Sequence, residues 1–262
     1  MNALRAAILR GARATPRAGS ATRGSRPGDG FVFSQLRGYV EGDDPRRIDH
    51  AATARAGTLQ TRIYVEETTL VLAAIVDESG SMRVGRRRSL AAAADEALRA
   101  WFGALEGDDR AARVVDEQIV RDRRAASAVR AQGVFRFGPA LAIARRALPR
   151  GTSLLVLTDG FDLPPDEELI RAALRFDATV LLARDPWRDD LPLRGVARLR
   201  DAESGRVRRV FVGARARRRY GEQAREREAA LHARFREAGW RTASLDEGDG
   251  RASLARAFGI AP

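Results

Sequence analysis

Leu70-Val71-Leu72-Ala73-Ala74-Ile75-Val76 is an unbroken apolar run that stops abruptly at Asp77-Glu78-Ser79-Gly80-Ser81. A run this short, bounded by polar turn residues, is the signature of a strand buried on both faces, as in a parallel sheet covered by helices. The theme recurs. Ser153 to Leu157 is a second such strand ending in Thr158-Asp159-Gly160, and Ala178 to Ala183 is a third. Helical segments lie between them: an Ala-rich one from about Arg87 to Leu105, one over Pro139 to Leu148, and one over Pro164 to Arg175 with prolines near its start. Strand, helix, strand, helix, strand at this spacing predicts an α/β doubly wound, mainly parallel sheet flanked by helices.

The flanks read differently. Residues 1–30 alternate alanine with arginine and then turn to Gly, Arg, Ser, Thr and Pro, which predicts a flexible or weakly helical leader. Residues 31–68 form an N-terminal extension expected to pack on the core, with an apolar start at Phe31-Val32-Phe33 and an alternating strand from Thr58 to Glu66. The remainder, 69–262, is one domain. Its last third adds a β-hairpin, Val196 to Arg200 and Val207 to Val212 around Asp201-Ala202-Glu203-Ser204-Gly205. A long charged helix over Arg217 to Ala238 follows, stopped by Gly239. Trp240 to Leu245 reads as an edge strand and Ser253 to Phe258 as a closing helix.

Composition removes whole classes of chemistry. The chain has no cysteine, so disulfides, thiol nucleophiles and zinc–cysteine or iron–sulfur sites are excluded. Its two histidines, His50 and His232, leave little room for a histidine relay. Ser79 and Ser81 lie outside a Gly-x-Ser-x-Gly elbow. Without a single lysine the chain cannot carry an ordinary phosphate-binding loop, so any nucleotide hydrolysis must come from a partner. No stretch approaches the about 18 apolar residues that span a bilayer, and a cytoplasmic protein is the expectation. The net charge is +12, all of the positive charge being arginine. Mixed signs, as in Arg225-Glu226-Arg227-Glu228, favour a solvated face over a nucleic-acid patch, so nucleic-acid binding is the alternative and not the leading expectation.

Asp77-x-Ser79-x-Ser81 carries the candidate chemistry. Short oxygen side chains at i, i+2 and i+4 on a tight loop can converge on one hard cation, and Asp159 at the end of the second strand can join them at the same sheet edge. The competing reading is a capping loop in which both serines bind backbone amides.

Asp77-x-Ser79-x-Ser81-Met82 with the later Thr158-Asp159-Gly160 resembles the metal-ion-dependent adhesion site of a von Willebrand factor A domain. Gly42-Asp43-Asp44-Pro45-Arg46-Arg47-Ile48-Asp49, followed by Ala54-Arg55 and an Arg62…Glu66-Glu67 strand, is similar to the hallmark of the bacterial domain of unknown function 58 family. The likeness continues through Arg200-Asp201-Ala202-Glu203-Ser204-Gly205 and Arg217-Arg218-Arg219-Tyr220, and so covers Phe31 to Phe258. It implies a von Willebrand A-like fold and a non-catalytic module that accompanies a MoxR-type AAA+ ATPase in maturing or assembling a client protein. It also implies Mg²⁺ held by Asp77, Ser79, Ser81 and Asp159, with one position open for a partner's carboxylate. The threonine that such sites take from the next loop is missing, because the corresponding stretch is Arg136-Phe137-Gly138-Pro139-Ala140-Leu141. His50 replaces the family's usual tryptophan and is expected as a packed ring. Asp43, Asp44, Arg46, Arg47 and Asp49 are the candidate partner-docking residues. Their competing reading is a turn whose aspartates pair internally with Arg46, Arg47 or Arg55.

Overall fold

The computed structural model describes residues 3–14, 31–66, 70–131, 133–202 and 204–261. The chain divides into two compact units, residues 18–69 and residues 1–17 with 70–262. In chain order, α1 (Ala3–Ala14) belongs to the larger unit, and β1 (Phe31–Gly38), α2 (His50–Ala56) and β2 (Gln60–Glu66) build the smaller one. There β1 and β2 pair antiparallel, with a bulge between Phe33 and Gln35.

The larger unit continues with β3 (Val71–Val76), α3 (Leu90–Phe102), β4 (Arg110–Val115), β5 (Gln118–Arg121), α4 (Phe137–Ala147) and β6 (Ser153–Thr158). After these come α5 (Asp166–Ala173), β7 (Asp177–Ala183), β8 (Gly195–Arg200), β9 (Val207–Val212), α6 (Ala214–Glu237), β10 (Arg241–Leu245) and α7 (Gly250–Ala257). Six strands form one sheet in the order β10-β7-β6-β3-β4-β5, parallel except for the antiparallel edge strand β5. β8 and β9 form the expected separate hairpin.

Alternation along the buried strands explains the two layers. Leu72, Ala74 and Val76 face a core shared with α3, α7 and Ile8 of α1. Ala73 and Ile75 face the opposite core, filled by α4, α5 and the end of α6. Trp101 of α3 is fully buried, and its indole N–H donates to the Ala73 carbonyl at 3.1 Å, so the one polar atom of the largest core ring is satisfied.

The structure adds to the sequence reading in three places. Ala3–Ala14, within the segment read as flexible or weakly helical, is a helix docked on the core: Ile8 is completely buried and Arg5 pairs with Asp109 while donating to the Ala104 carbonyl. Apolar burial on a face of alanine, leucine and isoleucine supplies what the alanine–arginine alternation hides; residues 15–30 lie outside the described residues. β4 and β5 went unread because Arg110 and Arg113 interrupt the apolar pattern of β4. Finally, the Ala-rich helix starts at Leu90, where the Ser89 hydroxyl caps it by accepting from Ala92 N–H, so Arg87 and Arg88 precede it.

α7 sits against α3 with no room for a side chain at its first residue. A Cβ on Gly250 would lie 1.8 Å from the Ala93 carbonyl oxygen. Gly250→Ala is therefore expected to push the two helices apart and cost about 2 kcal/mol, read as a lower urea midpoint at unchanged slope. An unshifted midpoint would mean that α7 moves freely on α3.

Candidate metal centre and its surroundings

β3 is the strand at which the sheet order reverses: β4 follows it on one side, and β6 lies on the other. Ligands of open α/β sheets bind beyond the carboxyl ends of the strands at such a switch point. Asp77 and Asp159 stand there, each one residue past the end of its strand.

The side chains form one continuous row of oxygens. Ser79 Oγ donates to Asp77 Oδ1 at 2.5 Å and lies 2.8 Å from Ser81 Oγ, which in turn donates to Asp159 Oδ2 at 2.5 Å. Ser79 N–H also donates to Asp77 Oδ1 at 3.0 Å, tightening the loop. The far oxygen of Asp77 accepts from the Thr158 hydroxyl at 3.1 Å, and Thr158 Oγ accepts from Gly160 N–H at 3.1 Å. Ser79 begins a single 3₁₀ turn, Gly80–Arg83, but its side chain makes no capping bond. The serine hydroxyls thus turn to each other and to the aspartates, not to backbone amides as the capping alternative requires.

Electrostatically the row is unbalanced. Asp77 is 2% exposed, and neither Asp77 nor Asp159 has an ion-pair partner among the described residues. Burial, and secondarily the charge of Asp159, pushes the Asp77 carboxyl above its ordinary value, with the Ser79 and Thr158 hydrogen bonds opposing. Arg227 donates to the Asp159 backbone carbonyl at 3.4 Å and feels the Asp159 charge, while its guanidinium stacks 3.4 Å from the centre of the exposed Phe161 ring. Gly160 lets the chain turn here: its φ is +71°, and a Cβ would come within 3.0 Å of Leu231.

This donor set suits a hard divalent cation. Cis ligands of an octahedral Mg²⁺ at about 2.1 Å lie about 3.0 Å apart, close to the Ser79–Ser81 separation, and two carboxylates without an ion pair supply the charge. Among the described residues no cluster of three or more His, Cys, Asp or Glu could hold a metal, so any ion here depends on hydroxyls as well as the two acids. The stretch from Arg136 to Leu141 brings none: Phe137 N–H, at the start of α4, is taken by Asp162 at 2.9 Å.

Several residues around the row escaped sequence reasoning. Glu78 accepts from Arg113 at 2.7 Å and from Arg130 N–H at 2.7 Å, and Arg113 also donates to the Ser127 carbonyl at 2.6 Å. Gly133 N–H donates to the Glu78 carbonyl at 3.0 Å. The buried Arg113 thereby ties the segment after β5 to the Asp77 loop. An arginine set between Ala111-Ala112 and Val114-Val115 was the available signal. Thr158 lies in the Thr158-Asp159-Gly160 turn, but its role as a clamp on Asp77 depends on the register of β6 beside β3.

In the smaller unit the acidic turn is built otherwise than expected. Asp43 pairs with Arg37 at 2.7 Å, and Asp44 accepts from Arg46 N–H at 3.0 Å. Asp49 caps α2 through Ala52 N–H at 2.9 Å and pairs with Arg62 at 2.9 Å. None of the three pairs with the side chain of Arg46, Arg47 or Arg55, so the internal-pairing reading named the wrong arginines. Asp43 and Asp49 lie below the ordinary carboxylate range, chiefly through the Val40 and Ala52 amides. Arg46 and Arg47 are exposed, while the aspartates hold the turn. His50 is exposed at the first turn of α2, not a packed ring.

No described helix is long and apolar enough to cross a membrane. Three uncharacterized proteins, one from Mycobacterium bovis and two from strains of Mycobacterium tuberculosis, are 31% identical over 206 residues, covering 71% of this chain and 65% of theirs. The chain thus spans slightly less than two thirds of the length of these relatives. The family model described as "Protein of unknown function DUF58" matches residues 35–230, three quarters of the sequence. With the acidic turn, both strand-end aspartates and most of the hairpin-to-helix segment inside that match, the chain belongs to the DUF58 family.

Proposed function

We propose that this protein is a non-catalytic interaction module of von Willebrand A-like fold, working with a MoxR-type AAA+ ATPase on a client protein. The row of oxygens from Asp77 through Ser79 and Ser81 to Asp159, carrying two carboxylates with no ion-pair partner among the described residues, supports this reading most. Asp77, Ser79, Ser81 and Asp159 would hold Mg²⁺. The bound ion supplies a hard, positive coordination position that accepts a carboxylate from another protein. Thr158 orients Asp77, and Glu78 with Arg113 braces the loop from behind. The missing threonine hydroxyl predicts a weaker ion than a full ligand set gives.

Hydrolysis finds less support. The Ser79 and Ser81 hydroxyls bond to carboxylates, whereas His232, on α6, turns to β10, with Thr242 Oγ1 at 2.5 Å and Ser244 Oγ at 3.0 Å. Exposed Arg46 and Arg47 suit docking to the ATPase.

Association with a purified MoxR-type ATPase, measured by biolayer interferometry, is expected to require Mg²⁺. Chelator should abolish it, and Ser81→Ala should weaken it at least tenfold. Binding that is indifferent to both would remove the metal from the interface.

A further inference from the structure

We propose that the outer face of the β8–β9 hairpin is a binding surface for single-stranded nucleic acid. This inference is independent of the metal centre. Cross-strand register places Val196 opposite Phe211, Arg198 opposite Arg209 and Arg200 opposite Val207, all on one face. The other face carries Val212, which is buried. The outer face is bare: Phe211 is 74% and Val196 75% exposed, and the arginines are exposed as well.

Charge is concentrated here to an unusual degree. Residues 194–219 contain ten arginines against two carboxylates, Asp201 and Glu203, giving +8 of the chain's +12. Elsewhere arginines are commonly paired, as Arg184 and Arg188 are with Glu228. Among the described residues, none of the ten makes an ion pair, a side-chain hydrogen bond or a ring contact. Two placements are unfavourable without an anion. Arg198 and Arg209 stand directly opposite one another, where like charges repel. Arg215, Arg217 and Arg218 sit in the first turn or so of α6, beside the positive end of its dipole, with no acidic residue to offset them.

The chemistry narrows the occupant. A second copy of the chain would bring a like charge of +8 against this one. A lipid bilayer would meet a hairpin tip made of Asp201, Ser204 and Gly205, while the apolar pair lies at the opposite end of the strands. A single nucleic-acid strand alternates phosphates, which guanidinium binds in a bidentate fork, with flat bases that stack on an exposed aromatic ring. Arg198 and Arg209 would take phosphates, and Phe211 would take a base about 7 Å along the strand from Arg209.

Fluorescence anisotropy with a labelled 20-nucleotide oligo(U), and separately oligo(dT), tests this on the full chain with chelator present. Binding is expected at low salt, with log K falling against log salt by about 3 for roughly four phosphates neutralised. Phe211→Ala should weaken it about tenfold, and Arg198→Glu with Arg209→Glu at least a hundredfold, with melting temperatures unchanged. Arg146→Glu, exposed on α4, serves as the control and should cost little. No binding at low salt, or equal losses in the control and hairpin variants, overturns the proposal. Tighter binding to a 20-residue polyglutamate peptide or to anionic phospholipid vesicles than to either oligonucleotide overturns it too, assigning the face to that partner instead.

Discussion

Arg113→Ala is expected to destabilise the protein by about 3 kcal/mol, the lower end of what breaking a buried ion pair costs. Arg113 is 1% exposed, in the interior of β4, where burial holds its pKa below the ordinary value against the opposing charge of Glu78. Among the described residues, removing the guanidinium leaves Glu78 with only the Arg130 amide and the Ser127 carbonyl with no donor. A cavity remains where the long side chain had packed. In a chain of this size the melting temperature should fall by about 6–10 °C. The double variant Glu78→Gln/Arg113→Met should recover much of the loss, since neither charge is then left unpaired. A single-variant loss under about 1 kcal/mol would show that water screens the pair. Because the same side chain holds the segment after β5 against the Asp77 loop, Arg113→Ala should also weaken Mg²⁺ binding, although it touches no ligand.

The second large effect has opposite signs with and without the ion. Asp77 carries a carboxyl whose folded pKa is raised, mainly by burial. Such a group contributes stability below its unfolded pKa, near the ordinary 3.8, and that contribution is lost as pH rises through the folded value. At neutral pH without metal, Asp77→Asn should therefore be at least as stable as the parent chain. The advantage should shrink as the pH is lowered into the acid range. Mg²⁺ reverses the ranking: at a hundredfold excess over Kd the parent gains about 2.7 kcal/mol by mass action, and the variant gains nothing. Urea titrations with chelator and with Mg²⁺, each at several pH values, read both effects. If Asp77→Asn is strongly destabilised in chelator, the carboxylate is structural and the metal reading loses its electrostatic basis.

The smaller unit shows how far local sequence reaches. An acidic turn rich in arginine signalled ion pairs, and ion pairs are present. Which arginine meets which aspartate was set by the turn after β1, which brings Arg37 to Asp43, and by the segment before α2 bridging to β2, which brings Arg62 to Asp49. Sequence proximity favoured Arg46 and Arg47, but Pro45 and the 3₁₀ turn over Pro45–Arg47 turn both out to solvent.

Period and punctuation determined the rest that was legible. Continuous apolar runs ended by Asp, and alanine-rich segments between glycines and prolines, are properties of consecutive residues, so β3, β6, β7, their helices and the hairpin could be read directly. Asp77-x-Ser79-x-Ser81 could be read as oxygen donors for the same reason. Tertiary structure decided whatever depends on residues far apart in the chain: that β6 lies beside β3, so Asp159 meets Ser81 and Thr158 meets Asp77. It also decided that a buried strand could keep Arg113 because Glu78 waits across the sheet edge. Burial and strand register are sums over the whole chain, and no window of neighbouring residues contains them.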